Sequence, residues 1–295
     1  MTPPHPHPPS QGGRGGSEYW SIAVKIPFMK MSGSGNDFIL IDHRKPILSQ
    51  EEMKGFARKV CQRRVSVGAD GLILIENSKK ADVKWRFFNA DGSEAEMCGN
   101  AGRCLARFTY LKGITGPSLT FETLAGVLSA QVNGKRVKLE MTRPFGLKLD
   151  EKVSIEGKEM VLSSINTGVP HAVFFLDGID EADVFRIGRA IRFHPHFAPA
   201  GTNANFVRLE GPSQLTVRTY ERGVEDETLA CGTGVVASAL IAAFKGLAKS
   251  PVSVKTRGGE TLNVHFEIVA GEVKKVFFEG DVHIIYEAEM WEEAH

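Results

Sequence analysis

Glu94-Ala95-Glu96-Met97-Cys98-Gly99-Asn100 recurs later in the chain as Glu227-Thr228-Leu229-Ala230-Cys231-Gly232-Thr233. In each segment a glutamate stands four places before a cysteine, and a glycine and a small polar residue follow it. The two cysteines lie 133 positions apart, and the same offset relates Thr123 to Thr256 and Gly126 to Gly259. Each copy runs Cys-Gly, helix, strand and Gly turn in one register, which marks an internal duplication. Duplication predicts two similar halves, each with a thiol at the start of a helix.

The flanking patterns support this. After Cys98, apolar residues recur at Ala101, Cys104, Leu105, Phe108 and Leu111, the spacing of a helix with one buried stripe. After Cys231, residues 234–244 are apolar nearly all round, which predicts a helix enclosed in a domain and sheathed by sheet. Phe38–Ile41, Leu72–Ile75 and Trp85–Phe88 read as short strands, with a turn at Asn89-Ala90-Asp91-Gly92. Ser49, with Glu52 at the capping-box position, predicts a helix over 49–64. The Gly-rich stretch 31–37 reads as a polar loop, and 119–141 as a hairpin around Asn133-Gly134. Residues 252–286 supply further strands, with Gly turns at 258–259 and 271. The expected fold class is α/β (α+β), each half a curved, mostly antiparallel sheet wrapped around a central helix. A junction near Thr142-Arg143-Pro144 divides the expected domains into 24–142 and 143–286. The last strand, at about 287–295, is expected to return to the first domain.

Composition narrows the function. The chain has 295 residues, room for two domains of roughly 100–150 each. A net charge of +1 gives no long-range field, which argues against nucleic acid or an anionic membrane as partner. No apolar run approaches the roughly 20 residues needed to span a bilayer. The four cysteines lack metal-type spacing and are too few for a secreted disulfide framework, so a reducing cytoplasm is expected and no metal site. Residues 1–23, rich in Pro, His and Gly, are expected to form a disordered N-terminal extension.

A cysteine at a helix start faces free backbone N–H groups and the positive end of the macrodipole, which favour the thiolate. One thiolate and one thiol on opposite walls of a cleft can remove a proton from a carbon and return one to its other face. The carbanion alpha to a carboxylate needs N–H donors on that carboxylate, and Gly99-Asn100 and Gly232-Thr233 would present them. Two cysteines in a repeated context therefore point to a racemase that needs no cofactor. Cys61 and Cys104 read instead as buried small apolar residues. His194-Pro195-His196 reads as loop surface, and Gly33-x-Gly35 lacks the rest of a phosphate loop.

These segments resemble the diaminopimelate epimerase family. The resemblance rests on Lys30–Phe38, Gly68–Gly71, Asn89–Asn100, Gly168–His171, Gly201–Phe206, Tyr220–Gly223 and Ala230–Gly234. It implies two pseudo-twofold-related domains with the active site in the cleft between them, no cofactor, and diaminopimelate as the small-molecule substrate. It also implies a homodimer and a place in lysine and peptidoglycan precursor synthesis. Carried over, Cys98 and Cys231 are the acid–base pair. Asn36, Asn89, Gly99, Asn100, Asn203, Glu221, Arg222, Gly232 and Thr233 bind substrate, Arg222 on the distal carboxylate. His171 and Glu221 tune the thiols.

Two positions depart from the pattern: Val169 stands where many relatives have Asn, and Gly71 where some have Gln. Both bear on substrate range more than on chemistry. Other readings stay open at this level. One is a related two-thiol racemase acting on proline, hydroxyproline or glutamate. Another is a redox-responsive binding protein in which Cys98 and Cys231 form a reversible disulfide. A phenazine-type isomerase is disfavoured because that class lacks the cysteine pair.

Overall fold

The computed structural model describes residues 25–295. The expectations for residues 1–23, and for a fold beginning at Val24, lie outside the described residues.

The first half opens on a hairpin of β1 (Ile26–Gly33) and β2 (Asn36–Asp42). Its turn, Ser34-Gly35, has φ of 52° and 86°, the paired positive values that suit the right-handed twist of strands. The stretch 31–37, expected as a loop, is therefore strand except at these two residues. α1 (Gln50–Val60) begins with the expected capping box between Ser49 and Glu52 and buries Met53, Phe56, Ala57 and Val60. It stops short of the expected end at Arg64, whose φ of 72° no α-helix accommodates. β3 (Gly71–Glu76), β4 (Val83–Asn89), α2 (Gly99–Leu111), β5 (Ser118–Thr123), β6 (Gly126–Asn133) and β7 (Arg136–Glu140) follow. The region 119–141 thus holds three strands and not one hairpin. The additional turn is closed by the Thr123 hydroxyl, which accepts from Ala125 N and donates to Gly126 O.

The second half comprises β8 (Phe145–Ile155), β9 (Lys158–Asn166), β10 (Pro170–Phe175), α3 (Val184–Arg192), β11 (Asn203–Gly211), β12 (Gln214–Glu221), β13 (Asp226–Thr228), α4 (Gly232–Phe244), β14 (Val252–Thr256), β15 (Thr261–Val269) and β16 (Glu272–Asp281). β17 (His283–Met290) ends the sheet, pairing with β1 from Met290↔Ile26 onward. Moving the first half forward by 133 positions lays α1 on α3, α2 on α4, and β1 through β4 on β9 through β12. The duplication seen around the cysteines therefore runs the length of both halves.

Hydrogen bonding follows the same plan. Among the described residues, β2–β3, β4–β5, β10–β11 and β12–β14 are the parallel pairs, each bridged by one α-helix; the other pairs are antiparallel. A parallel neighbour needs a crossover, and a helix supplies it. β7 pairs with β16, Leu139 opposite Phe278, so the two half-sheets form one continuous ribbon. α2 packs within β1, β2, β3, β6 and β7, and α4 within β9, β10, β11, β12, β14 and β15. Sheathing on several sides explains why α4 can be apolar all round: Gly234 through Ala242 are all buried. One apolar cluster runs through both helices, with Leu105, Phe108, Leu139, Val235, Leu240 and Phe278 among its members. Each such side chain contributes about 1.5–3 kcal/mol by leaving water. The two helix starts are thereby fixed relative to each other by core packing.

Candidate active site

Cys98 and Cys231 occupy the N-cap positions of α2 and α4, both in extended conformation. Cys98 is half-buried and Cys231 buried. A Cβ on Gly99 would lie 3.5 Å from Phe278 Cδ1, and one on Gly232 only 3.0 Å from Phe278 Cε1. A single buried ring on β16 therefore touches both helix starts and sets their spacing. The guanidinium of Arg103, from α2, stacks on the same ring at 4.3 Å from its centroid. Arg103 is fully buried and donates to Ser34 Oγ at 2.5 Å; its Nε and Nη1 have no partner among the described residues.

Burial opposes the expected bias towards thiolate at both helix starts. Burial pushes the Cys98 thiol up, against the N–H groups of Ala101 and Asn100 and the charge of Arg103. Burial, then the Glu221 carboxylate, push Cys231 up to about 12, against the Thr233 hydroxyl and the Gly234 N–H. Desolvating an anion outweighs what one helix turn returns. Both shifts favour the thiol over the thiolate. The Thr233 hydroxyl lies 3.6 Å from Cys231 Sγ. Glu221 is itself pushed up by burial, although the Thr228 hydroxyl, at 2.8 Å, and the Cys231 thiol hold it down.

Asn36 and Asn100 meet. Asn36 Nδ2 donates to Asp70 Oδ2 at 3.0 Å, which turns its Oδ1 towards Asn100 Nδ2 at 2.8 Å. Asn100 Oδ1 is left buried and unpartnered among the described residues, an acceptor free for a ligand. Asp70 is held by Arg63, and Arg63 and Lys30 both pair with Asp37. In the second half, Asn203 Oδ1 accepts from Arg222 N at 2.8 Å and its Nδ2 donates to Pro170 O at 2.9 Å. Arg222 Nη1 donates to Ala200 O at 3.1 Å. Asn89 stands apart, exposed at the end of β4, donating to Ser93 Oγ at 3.0 Å. His171 is buried beside Asn205, and burial, followed by the charge of Arg222, lowers its pKa to about 3.

A cavity of about 400 Å³ is lined by Cys98, Gly99, Met141, Val169 and Thr233 among others. It meets the start of α2 at Cys98 and Gly99, and the first turn of α4 only at Thr233. Of the expected site residues it takes Cys98, Gly99 and Thr233; Cys231, Gly232, Asn100, His171, Asn36, Asn89, Asn203, Glu221 and Arg222 are not part of its lining. A larger groove of about 540 Å³, between Asp180, Arg208 and Arg257, holds neither cysteine and has most of its charges paired off. Among the described residues no three His, Cys, Asp or Glu cluster as a metal would require.

The family model described as diaminopimelate epimerase matches this chain over residues 28–145 and again over 163–282. The chain belongs to the diaminopimelate epimerase family. A diaminopimelate epimerase of Aquifex aeolicus is 48% identical over 280 residues, covering 91% of this chain and 99% of that protein. One from Archaeoglobus fulgidus is 47% identical over 249 residues, covering 80% and 88%. Among solved structures, a PhzF-family phenazine biosynthesis protein of Bacillus anthracis matches with TM-score 0.69 at 18% identity, over 90% of this chain and 99% of that one. A hydroxyproline epimerase of Agrobacterium vitis matches with TM-score 0.65 at 17% identity, over 93% and 94%. These two share the fold of two repeated α/β halves.

Within the family, both departures have a structural setting. Gly71 is packed shut: a Cβ there would lie 2.6 Å from the Phe87 ring and 2.7 Å from Phe88 O, so no glutamine fits this backbone. Val169 lines the cavity beside Cys98 and Thr233. The roles of Arg103, Phe278, Asn205 and Thr219 are not legible in the sequence, although Asn205 lies within the quoted Gly201–Phe206 segment. A buried arginine inside an apolar helical stripe was the one signal available, since the others become visible only through their contacts.

Proposed function

We propose that this chain interconverts LL- and meso-2,6-diaminopimelate without a cofactor, with Cys98 and Cys231 as the acid–base pair. The observation that carries this reading is the equivalent placement of the two thiols, each at a helix start and each helix start against the same Phe278 ring. One thiol, once ionised, takes the α-proton. The other delivers its proton to the opposite face, and the roles are exchanged in the product complex. Which thiol starts as base depends on the direction of reaction. The N–H groups at Gly99-Asn100 and Gly232-Thr233 receive the reacting carboxylate, where charge builds up in the transition state. Asn36, Asn89 and Asn203 hold the rest of the substrate, with the Arg222 guanidinium on the distal carboxylate.

The raised thiols suit this scheme if substrate binding supplies the ionisation. Glu221, displaced upward and next to Cys231, is placed to take the proton of that thiol. We further place the domain division near Thr142-Arg143-Pro144, with residues 24–142 and the last strand in one domain and 143–286 in the other. Four unpaired thiols suit a cytoplasmic setting. We infer a homodimer, to be checked by analytical ultracentrifugation.

The test is proton NMR of LL-diaminopimelate with reduced enzyme in deuterium oxide. Loss of the α-proton signal together with appearance of the meso form is expected. Exchange with proline or glutamate but not with diaminopimelate would move the substrate and keep the two-thiol chemistry. No exchange with any of them would end the epimerase reading.

A further inference from the structure

Asn205 is fully buried on β11, and three hydrogen bonds leave its amide no freedom. Its Nδ2 donates to Ala172 O at 2.9 Å and lies 3.1 Å from His171 Nδ1. Its Oδ1 accepts from Thr219 Oγ1 at 3.0 Å, across the Asn205–Thr219 strand pair. A backbone carbonyl can only accept, so the atom facing Ala172 O must be the amide nitrogen. That nitrogen therefore presents N–H to His171 as well, and His171 Nδ1 must offer its lone pair. The ring proton is left on Nε2, which is buried and has no partner among the described residues.

We infer that Asn205 is a positioning residue that holds His171 as the neutral Nε2–H tautomer, making the ring a fixed hydrogen-bond donor and not a proton carrier. An imidazolium would set an Nδ1–H against an amide N–H, two donors face to face. The groups packed around the ring do nothing to offset this. β10 and β11 bring Pro170, Ala172, Asn203 and Asn205, none of them charged, and the charge that bears on the ring is the cation of Arg222. Parallel pairing sets His171 beside Asn203, which also holds the Arg222 backbone. The donor thus lies among groups assigned above to substrate, and the inference rests on that reading for its role in turnover. α4 is tied in too: a Cβ on Gly234 would lie 2.3 Å from Asn205 Oδ1, so the first turn of the helix carrying Cys231 sits directly on this amide.

The test is nitrogen-15 NMR of enzyme with labelled histidine, the His171 signals being those lost in His171→Gln. Between about pH 5 and about pH 8, where an ordinary histidine titrates, a protonated Nε2 and a bare Nδ1 that do not move are expected. A protonated Nδ1, or a titration midpoint in that window, would overturn the inference. In Asn205→Asp the acceptor-only carboxylate should draw the proton to Nδ1 and raise the ring into the window. There kcat should fall on the order of 100-fold while KM changes less, as when a catalytic imidazole is held in the wrong tautomer. An unchanged tautomer and kcat in that variant would remove Asn205 from the role. Because the spectrum is read without substrate, the expected tautomer in an enzyme inert to diaminopimelate would support the inference and fail the functional reading alone.

Discussion

The two halves share one frame but not one chemistry. In the second half, His171, Asn205 and Glu221 are polar groups in or beside the core. The positions 133 earlier hold Phe38, Leu72 and Phe88, all buried and apolar. The first half places its polar groups elsewhere, in the Lys30, Asp37, Arg63 and Asp70 network that braces Asn36 and in buried Arg103 and Asn100. The thiols differ accordingly. Burial raises both, but at Cys98 the N–H groups of Ala101 and Asn100 and the charge of Arg103 oppose it, whereas at Cys231 the Glu221 carboxylate adds to it. A duplicated scaffold supplies two helix starts, and divergence at equivalent positions makes the thiols unequal.

Removing either thiol breaks the comparison most severely. Cys98→Ala and Cys231→Ala should each lower epimerisation by about 10³-fold or more, with an unchanged circular dichroism spectrum. Full activity in either would end the two-thiol scheme.

The next effect is on stability, and it belongs to the second half alone. His171 has its pKa lowered from 6.5 to about 3, so the unfolded chain takes up the proton first. The stability from burying a neutral ring is complete above the unfolded value and is lost as pH falls towards the folded one. Urea unfolding should therefore lose about 1.4 kcal/mol per pH unit below about pH 6 through this group. His171→Gln should remove that part of the acid slope; an identical slope in the variant would contradict a buried neutral histidine.

A smaller change sharpens the comparison at the helices. Gly234 lies 133 places after Ala101, yet has no room for Ala101's methyl group. Gly234→Ala should cost about 1–3 kcal/mol by overpacking against Asn205 and should disturb the His171 NMR signals. Ala101→Gly should cost about 0.5–1 kcal/mol, the ordinary price of glycine in a helix, and leave those signals in place. The smallest expected effect is that of Val169→Asn, which restores the residue type of Asn36 at the equivalent position. One added hydrogen bond should lower KM for LL-diaminopimelate by roughly two- to tenfold. A higher KM would mean that the cavity beside Cys98 is better filled by an apolar side chain.

The repeated Cys-Gly segments, the helical stripes after them and the capping box at Ser49 were legible because each is a local pattern of fixed period. α3 was not read, although its N-cap, Asp183, accepts from Arg186 N in the usual way. β8 carries little periodic signal because its side chains are mostly exposed, and β9 because its exposed and buried residues do not alternate. Asp70 and Asn205 could not be told from ordinary loop or strand residues, since their roles lie in partners far along the chain.

The amino-acid sequence by itself determined the duplication, the two helix-borne thiols and the family, because these depend on residue type and spacing. Only the tertiary structure decided that Phe278 spaces the helix starts, that burial raises both thiols, and that Asn205 dictates where His171 keeps its proton. Those three follow from burial and from donor–acceptor pairing between distant segments, and neither exists until the chain has folded.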